Sequence, residues 1–221
     1  MFLSAPRGLA SPSVLAERRE LLLNAPAVQP LREWSAGLVD RRRASDARAG
    51  RDGMQRTTLV PDFDPAEAGT AARVLVVLEA PGPMTNQENP RPGSGFISID
   101  NDDQTAANAW TLRNEAGLDG HALHWNIVPW YLGVASRKPT AEELRQGSLE
   151  LRSLITLLPD LRAVLLSGLY SQKGWKANIA PFVGDRFTAI DTWHPSPLAL
   201  KQPGKRDELR RAFERARELA S

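Results

Sequence analysis

From about residue 70 onward the apolar positions alternate between short unbroken runs and longer stretches at helical spacing. Val74-Leu75-Val76-Val77-Leu78 is unbroken and rich in β-branched residues, the pattern of a strand buried on both faces of a parallel sheet. Ala122 to Val128 predicts a second strand, ended by Pro129, and Arg162 to Ser167 a third. Phe187 to Asp191 alternates and predicts a fourth. Helical patterns lie between them. Thr105 to Glu115 predicts a helix capped near Asp102 or Asp103 and closed near Gly117. Thr140-Ala-Glu-Glu143 is a helix start of capping-box type, followed by Leu144, Leu151, Leu154, Ile155 and Leu158 at helical spacing. Gly168 to Asn178 reads as a turn into a helix. Lys205 to Ala220 predicts a charged final helix with Leu209, Phe213 and Leu219 on one side.

Strands alternating with helices imply βαβ units. The expected fold is therefore α/β, a three-layer αβα sandwich around a central four-stranded parallel sheet. The chain ahead of it reads differently. Ser13 to Leu23 and Leu31 to Ala47 predict helices, and Gly50 to Gly69 is polar and turn-rich. We take residues 1–68 as an N-terminal helical extension packed on the main domain, and residues 69–221 as that domain.

Composition narrows the chemistry. The 221 residues can bury a full core, and no apolar run is long enough to span a bilayer. The N-terminus lacks a basic start followed by a sustained apolar region, which argues against a secretory signal. There is no cysteine, which excludes disulfides, thiolate zinc sites and cysteine-ligated iron–sulfur clusters. A cytoplasmic monomer is expected. The net charge is only +2, although Arg41, Arg42, Arg43, Arg48, Arg51 and Arg56 cluster. That cluster could attract phosphate, but Asp40, Asp46 and Asp52 dilute it, and a solvated helix end is the preferred reading.

Candidate chemistry gathers where the strands end, which is where open parallel sheets bind ligands. The first strand runs into Glu79-Ala80-Pro81-Gly82, and the second carries Asn126. The fourth leads into Thr192-Trp193-His194-Pro195-Ser196-Pro197-Leu198, where two prolines enforce a stiff loop. No glycine-rich phosphate loop of either common type is present. His121, His124 and His194 lack metal-ligand spacing, and His121 and His124 are given no role.

Taken in this order, the three clusters resemble the uracil-DNA glycosylase superfamily over residues 72–200. Glu79-Ala-Pro-Gly82 is similar to the first motif of the thermophilic type, and His194-Pro-Ser-Pro-Leu198 to the last motif of the classical enzymes. The chain departs from these patterns at several places. Leu78 stands where the first motif has a glycine, and the cluster cysteines are absent. Ala80 stands where the classical enzymes place a catalytic aspartate and the mismatch-specific ones an asparagine. Gly82 aligns with the classical tyrosine that blocks thymine.

The resemblance implies an enzyme of DNA repair that flips uracil out of DNA and hydrolyses its N-glycosidic bond, with no metal or cofactor. It implies that His194 donates to uracil O2, that Asn126 reads the Watson–Crick edge, and that Phe96 stacks on the base. Ala80, Pro81 and Gly82 would shape the pocket, Ser196 would meet a phosphate, and Leu198 would wedge into the vacated stack. The water-positioning residue is open between Glu79 and Asp100. Two other readings compete: a non-catalytic uracil-DNA binding protein, and an α/β enzyme acting on free nucleosides or nucleotides.

Overall fold

The computed structural model describes residues 3–48, 59–118, 120–133 and 137–221. Two helices open the chain, α1 (Pro12–Asn24) and α2 (Gln29–Arg48), followed by the short strand β1 (Asp62–Phe63). Then come β2 (Val74–Leu78), β3 (Phe96–Ile97), α3 (Gln104–Glu115), β4 (Ala122–Asn126), α4 (Ala141–Ile155) and β5 (Ala163–Ser167). The remainder is α5 (Leu169–Asn178), α6 (Ala180–Val183), β6 (Thr188–Thr192), α7 (Pro197–Leu200) and α8 (Lys205–Ala220).

The main sheet has four strands in the order β4-β2-β5-β6, all parallel. Alternation along each strand splits its side chains between two cores. Leu75, Val77, Leu123, Trp125, Val164 and Leu166 face one core, filled by Leu22, Leu31 and Leu38 from α1 and α2, and by Leu151 and Leu154 from α4. Val74, Val76, Ala122, Ala163 and Leu165 face the other, filled by Leu112 of α3 and by Leu209, Phe213 and Ala216 of α8. The three-layer α/β architecture expected from the pattern is the one observed.

From β2 the chain crosses to β4 on one side and then returns to β5 on the other. The connecting helices α3 and α4 therefore fall on opposite faces, and a crevice opens at the carboxyl ends of the strands. β4 is an edge strand, yet all five of its residues are buried. The segment ahead of β2 covers it: Ala68 N–H donates to Ala122 O (3.1 Å), and a carboxylate oxygen of Glu67 accepts from His124 N–H (2.6 Å). Phe63 adds a stacked ring 3.7 Å from Trp125. A buried ion cluster ties the same region to α1, with Arg18 bridging Asp64 (2.6 Å) and Asp100 (2.9 Å).

Three local features differ from the sequence expectation. The parallel pair β1–β3 joins Asp62–Phe63 to Phe96–Ile97, and two residues per strand are too few to show a period. β4 stops at Asn126 and β6 is displaced to Thr188–Thr192. The arginines of α2 are not a purely solvated end: Arg41 pairs with Glu150 of α4 (2.6 Å), and Arg42 is buried over the Trp130 ring (3.7 Å). Arg51, Arg56 and the turn-rich stretch through residue 58 lie outside the described residues.

The capping box of α4 forms as read, with Glu143 N–H donating to Thr140 Oγ1 and the Glu143 carboxylate accepting from Thr140 N–H. A hydrogen bond from Arg137 is the main influence holding Glu143 down at about 2. Its folded value lies below the unfolded one. The stabilisation is therefore present above the ordinary value of 4.5 and is lost as pH falls toward about 2. Glu143→Ala should cost about 1–2 kcal/mol at neutral pH, measured by urea unfolding, and should flatten stability against pH below 4.5.

Candidate active site

A cavity of about 370 Å³ lies at the carboxyl ends of β2 and β4. Its walls come from five places. Leu78 ends β2, and Ala80, Pro81 and Gly82 follow it; Ile97 ends β3, and Ser98 follows it; Ala106 and Ala109 belong to α3; His124 and Asn126 belong to β4. His194 enters from the loop after β6.

Strand geometry explains the Asn126 position. It pairs with Leu78 in register at the last step of the β2–β4 ladder. It is nearly fully buried, and its amide has no protein partner among the described residues. A buried amide left free beside a cavity is prepared for a ligand with matching donors and acceptors.

His194 must reach back across β5, since β6 is the far edge strand. Gly168, at the end of β5, leaves that path open. It sits at φ +96°, and a Cβ there would stand 3.2 Å from His194 Cβ. Ser196 N–H donates to His194 Nδ1 (3.2 Å). A neutral ring therefore carries its proton on Nε2 and offers a donor. Burial, and secondarily the charge of Lys138, push the His194 imidazole down to about 4. Lys138 is itself held by both carboxylate oxygens of Glu79 (3.0 and 2.9 Å).

Of the residues singled out in the sequence, the cavity brings together Ala80, Pro81, Gly82, Asn126 and His194. The others stand elsewhere. Phe96 does not line the cavity; its ring is 2% exposed and packs in the core with α1 and α2, while its neighbour Ile97 faces the cavity. Successive residues of a strand point to opposite sides, and the β1–β3 pairing sets which one turns inward. Asp100 is fully buried against Arg18, away from the cavity lining, so its expected role near the sugar finds no geometric support. Glu79 is engaged by Lys138 and is absent from the lining. Ser196 caps α7, accepting from Ala199 N–H (3.4 Å). Leu198 is 80% exposed at the start of α7.

Among the described residues, two titratable side chains given no chemistry in the sequence also line the cavity. Asp103 caps α3, accepting from Ala106 N–H (2.9 Å), and also faces the cavity; burial raises its carboxyl above the usual range. His124 stands two residues before Asn126, on the same face of β4. That spacing was the available signal for His124.

A model of the uracil DNA glycosylase superfamily matches residues 66–217. The chain belongs to the uracil DNA glycosylase superfamily. The match takes in all four strands of the main sheet and every residue named in the cavity wall. No curated protein is similar enough to the chain to count as a match. Membership supports a glycosylase-type activity connected with DNA repair. Among the described residues no group of acidic or histidine side chains is arranged to hold a metal ion, and no helix is long and apolar enough to cross a membrane.

Proposed function

We propose that the cavity receives a uracil turned out of DNA, and that the protein hydrolyses the bond between that base and its deoxyribose, leaving an abasic site. The observation that carries this reading is that one cavity brings together the Asn126 amide and the neutral His194 ring, whose Nδ1 is taken by Ser196 N–H so that Nε2–H is left to donate. The amide can accept from uracil N3–H and donate to O4; cytosine presents the reverse pattern. The His194 Nε2–H can donate to O2 as the departing base takes the bonding pair and becomes an anion. A neutral donor serves here, since it needs no proton transfer to act.

Water completes the reaction at C1′, one of its protons leaving as the C1′–N bond breaks. Among the described residues Asp103 is the only acidic side chain in the cavity lining. It is the candidate to orient that water and take the proton. Outside the cavity Leu198 is exposed, which supports reading it as the side chain that fills the gap in the base stack. Because Ala80 lines the wall and Glu79 and Asp100 are held by cations, a slow enzyme or a pure uracil-DNA binder is the second reading.

The deciding experiment incubates the protein with labelled oligonucleotides carrying one uracil, followed by alkali. Strand cleavage at the uracil supports hydrolysis, whereas tight retention without cleavage supports the binder. Asn126→Ala should slow base release at least about tenfold, the cost of leaving buried groups of the base unpaired. Full activity in that variant would remove Asn126 from the site.

A further inference from the structure

His194 stands on the loop between β6 and α7, and one peptide unit of that loop touches its ring. The unit joins Pro195 to Ser196, and its two polar ends have different partners. Its N–H, on Ser196, donates to His194 Nδ1 (3.2 Å). Its carbonyl oxygen, on Pro195, accepts from Asn108 Nδ2 of α3 (2.7 Å). A peptide unit is planar, so whatever holds the oxygen also sets the direction of the N–H. Hydrogen bonds in such a chain polarise one another, and a donor on the oxygen makes the N–H a better donor to the ring. The Asn108 amide is itself braced. Its Oδ1 accepts from Gln104 Nε2 (3.1 Å), one turn earlier on α3, which leaves the NH2 end for Pro195. The other helical layer secures the start of the loop, where Thr192 O accepts from Gly168 N–H and from Gln172 Nε2 of α5 (both 2.9 Å).

We propose that Asn108 is a positioning residue for His194: through the Pro195–Ser196 peptide it holds the ring in the tautomer that presents Nε2–H to the cavity. The inference rests on the reading of His194 as the donor to the base. A neutral imidazole carries its proton on either nitrogen. With the proton on Nδ1, the ring would offer the base a lone pair at the place where O2 gathers negative charge. Ser196 N–H opposes that form, because two hydrogens would then face each other. The prolines alone do not secure this arrangement. Pro195 fixes φ but not ψ, so the peptide after it can still turn. The hydrogen bond from Asn108 removes that freedom. Asn108 does not line the cavity, so it acts through the peptide and not on the base.

The test reads the ring and the rate separately. The chain has three histidines, so nitrogen NMR of the imidazoles resolves His194, assigned with His194→Gln. At neutral pH the wild type should show Nε2 protonated and Nδ1 bare, the pattern of a single tautomer. Asn108→Ala should draw the two nitrogen signals together as the tautomers mix. It should slow release of uracil about tenfold, and in a His194→Ala background it should slow release no further. Ring signals that stay apart would overturn the proposal, as would slowing that persists without His194. Signals that draw together at an unchanged rate would sustain the tie to the ring and end the reading of His194 as the donor. Asn108→Leu removes the hydrogen-bond donor at similar size, and its ring signals decide the matter if Asn108→Ala does not fold. If the wild-type protein releases no uracil, the hydrolase reading fails, and the ring signals alone sustain or overturn the inference.

Discussion

Arg18→Met should lower the stability of the protein by about 3–5 kcal/mol, seen as a drop in the urea midpoint at unchanged slope. The size follows from what the substitution leaves behind. Asp64 and Asp100 are both completely buried, and the guanidinium of Arg18 lies 2.6 and 2.9 Å from their carboxylates. Ser98 Oγ also donates to Asp64, and Asp100 N–H donates to Ser98 Oγ (2.9 Å), so neither acid can turn toward solvent without breaking the loop after β3. Without Arg18 two carboxylates face each other in the interior. Adding Asp64→Asn to Arg18→Met should recover part of the loss, because the two changes act on one cluster and are not additive. Additive destabilisation would show that the cluster contributes nothing as a unit.

The second large effect belongs to the proposed hydrolysis. His194→Ala should slow uracil release roughly a hundredfold, the usual consequence of removing one prearranged donor to a developing oxyanion. The pH profile separates this role from a structural one. The folded protein holds the His194 imidazole neutral down to about 4, whereas an ordinary histidine titrates near 6.5. The rate should therefore show no His194 titration near pH 6.5, and a His194-dependent fall should come only near pH 4. Stability follows from the same shift with a definite sign. Between pH 6.5 and about 4 the unfolded chain binds the proton and the folded one does not, so stability falls as pH falls through that window. The full span is worth about 3 kcal/mol at most, and less where the open edge of the ring meets solvent. His194→Gln should remove that slope. A rate that titrates near pH 6.5 in the wild type and not in His194→Gln would contradict the neutral-donor assignment.

Much of the frame was legible from the chain because its signals are local. The unbroken run Val74–Leu78 can only be satisfied between two apolar layers, and the Thr140–Glu143 box marks a helix start in four residues. The position of Asn126 was legible for the same reason, as the polar residue closing an apolar strand. What escaped depends on pairing across distance. Phe96 and Ile97 exchange roles with a single step of register, and that register is set by Asp62–Phe63, which lie more than thirty positions earlier. Asp100 looked available because nothing near it in the chain announces Arg18, eighty-two positions away. Lys138 and Glu67 carry no motif; they matter because the fold brings them beside Glu79 and His124. His124 was the recoverable omission, since period-two spacing already placed it on the Asn126 face.

Gly82 gives the cavity an unoccupied margin. It lies in the wall with ordinary extended backbone, φ −83° and ψ 171°, and a Cβ built there touches nothing within 4 Å. Neither backbone strain nor a steric neighbour reserves the position for glycine. One codon change could furnish a side chain that narrows the cavity at this point, leaving sheet and loop untouched. On the proposed reading of the cavity, the range of bases it admits would be adjustable at this single residue without rebuilding the core.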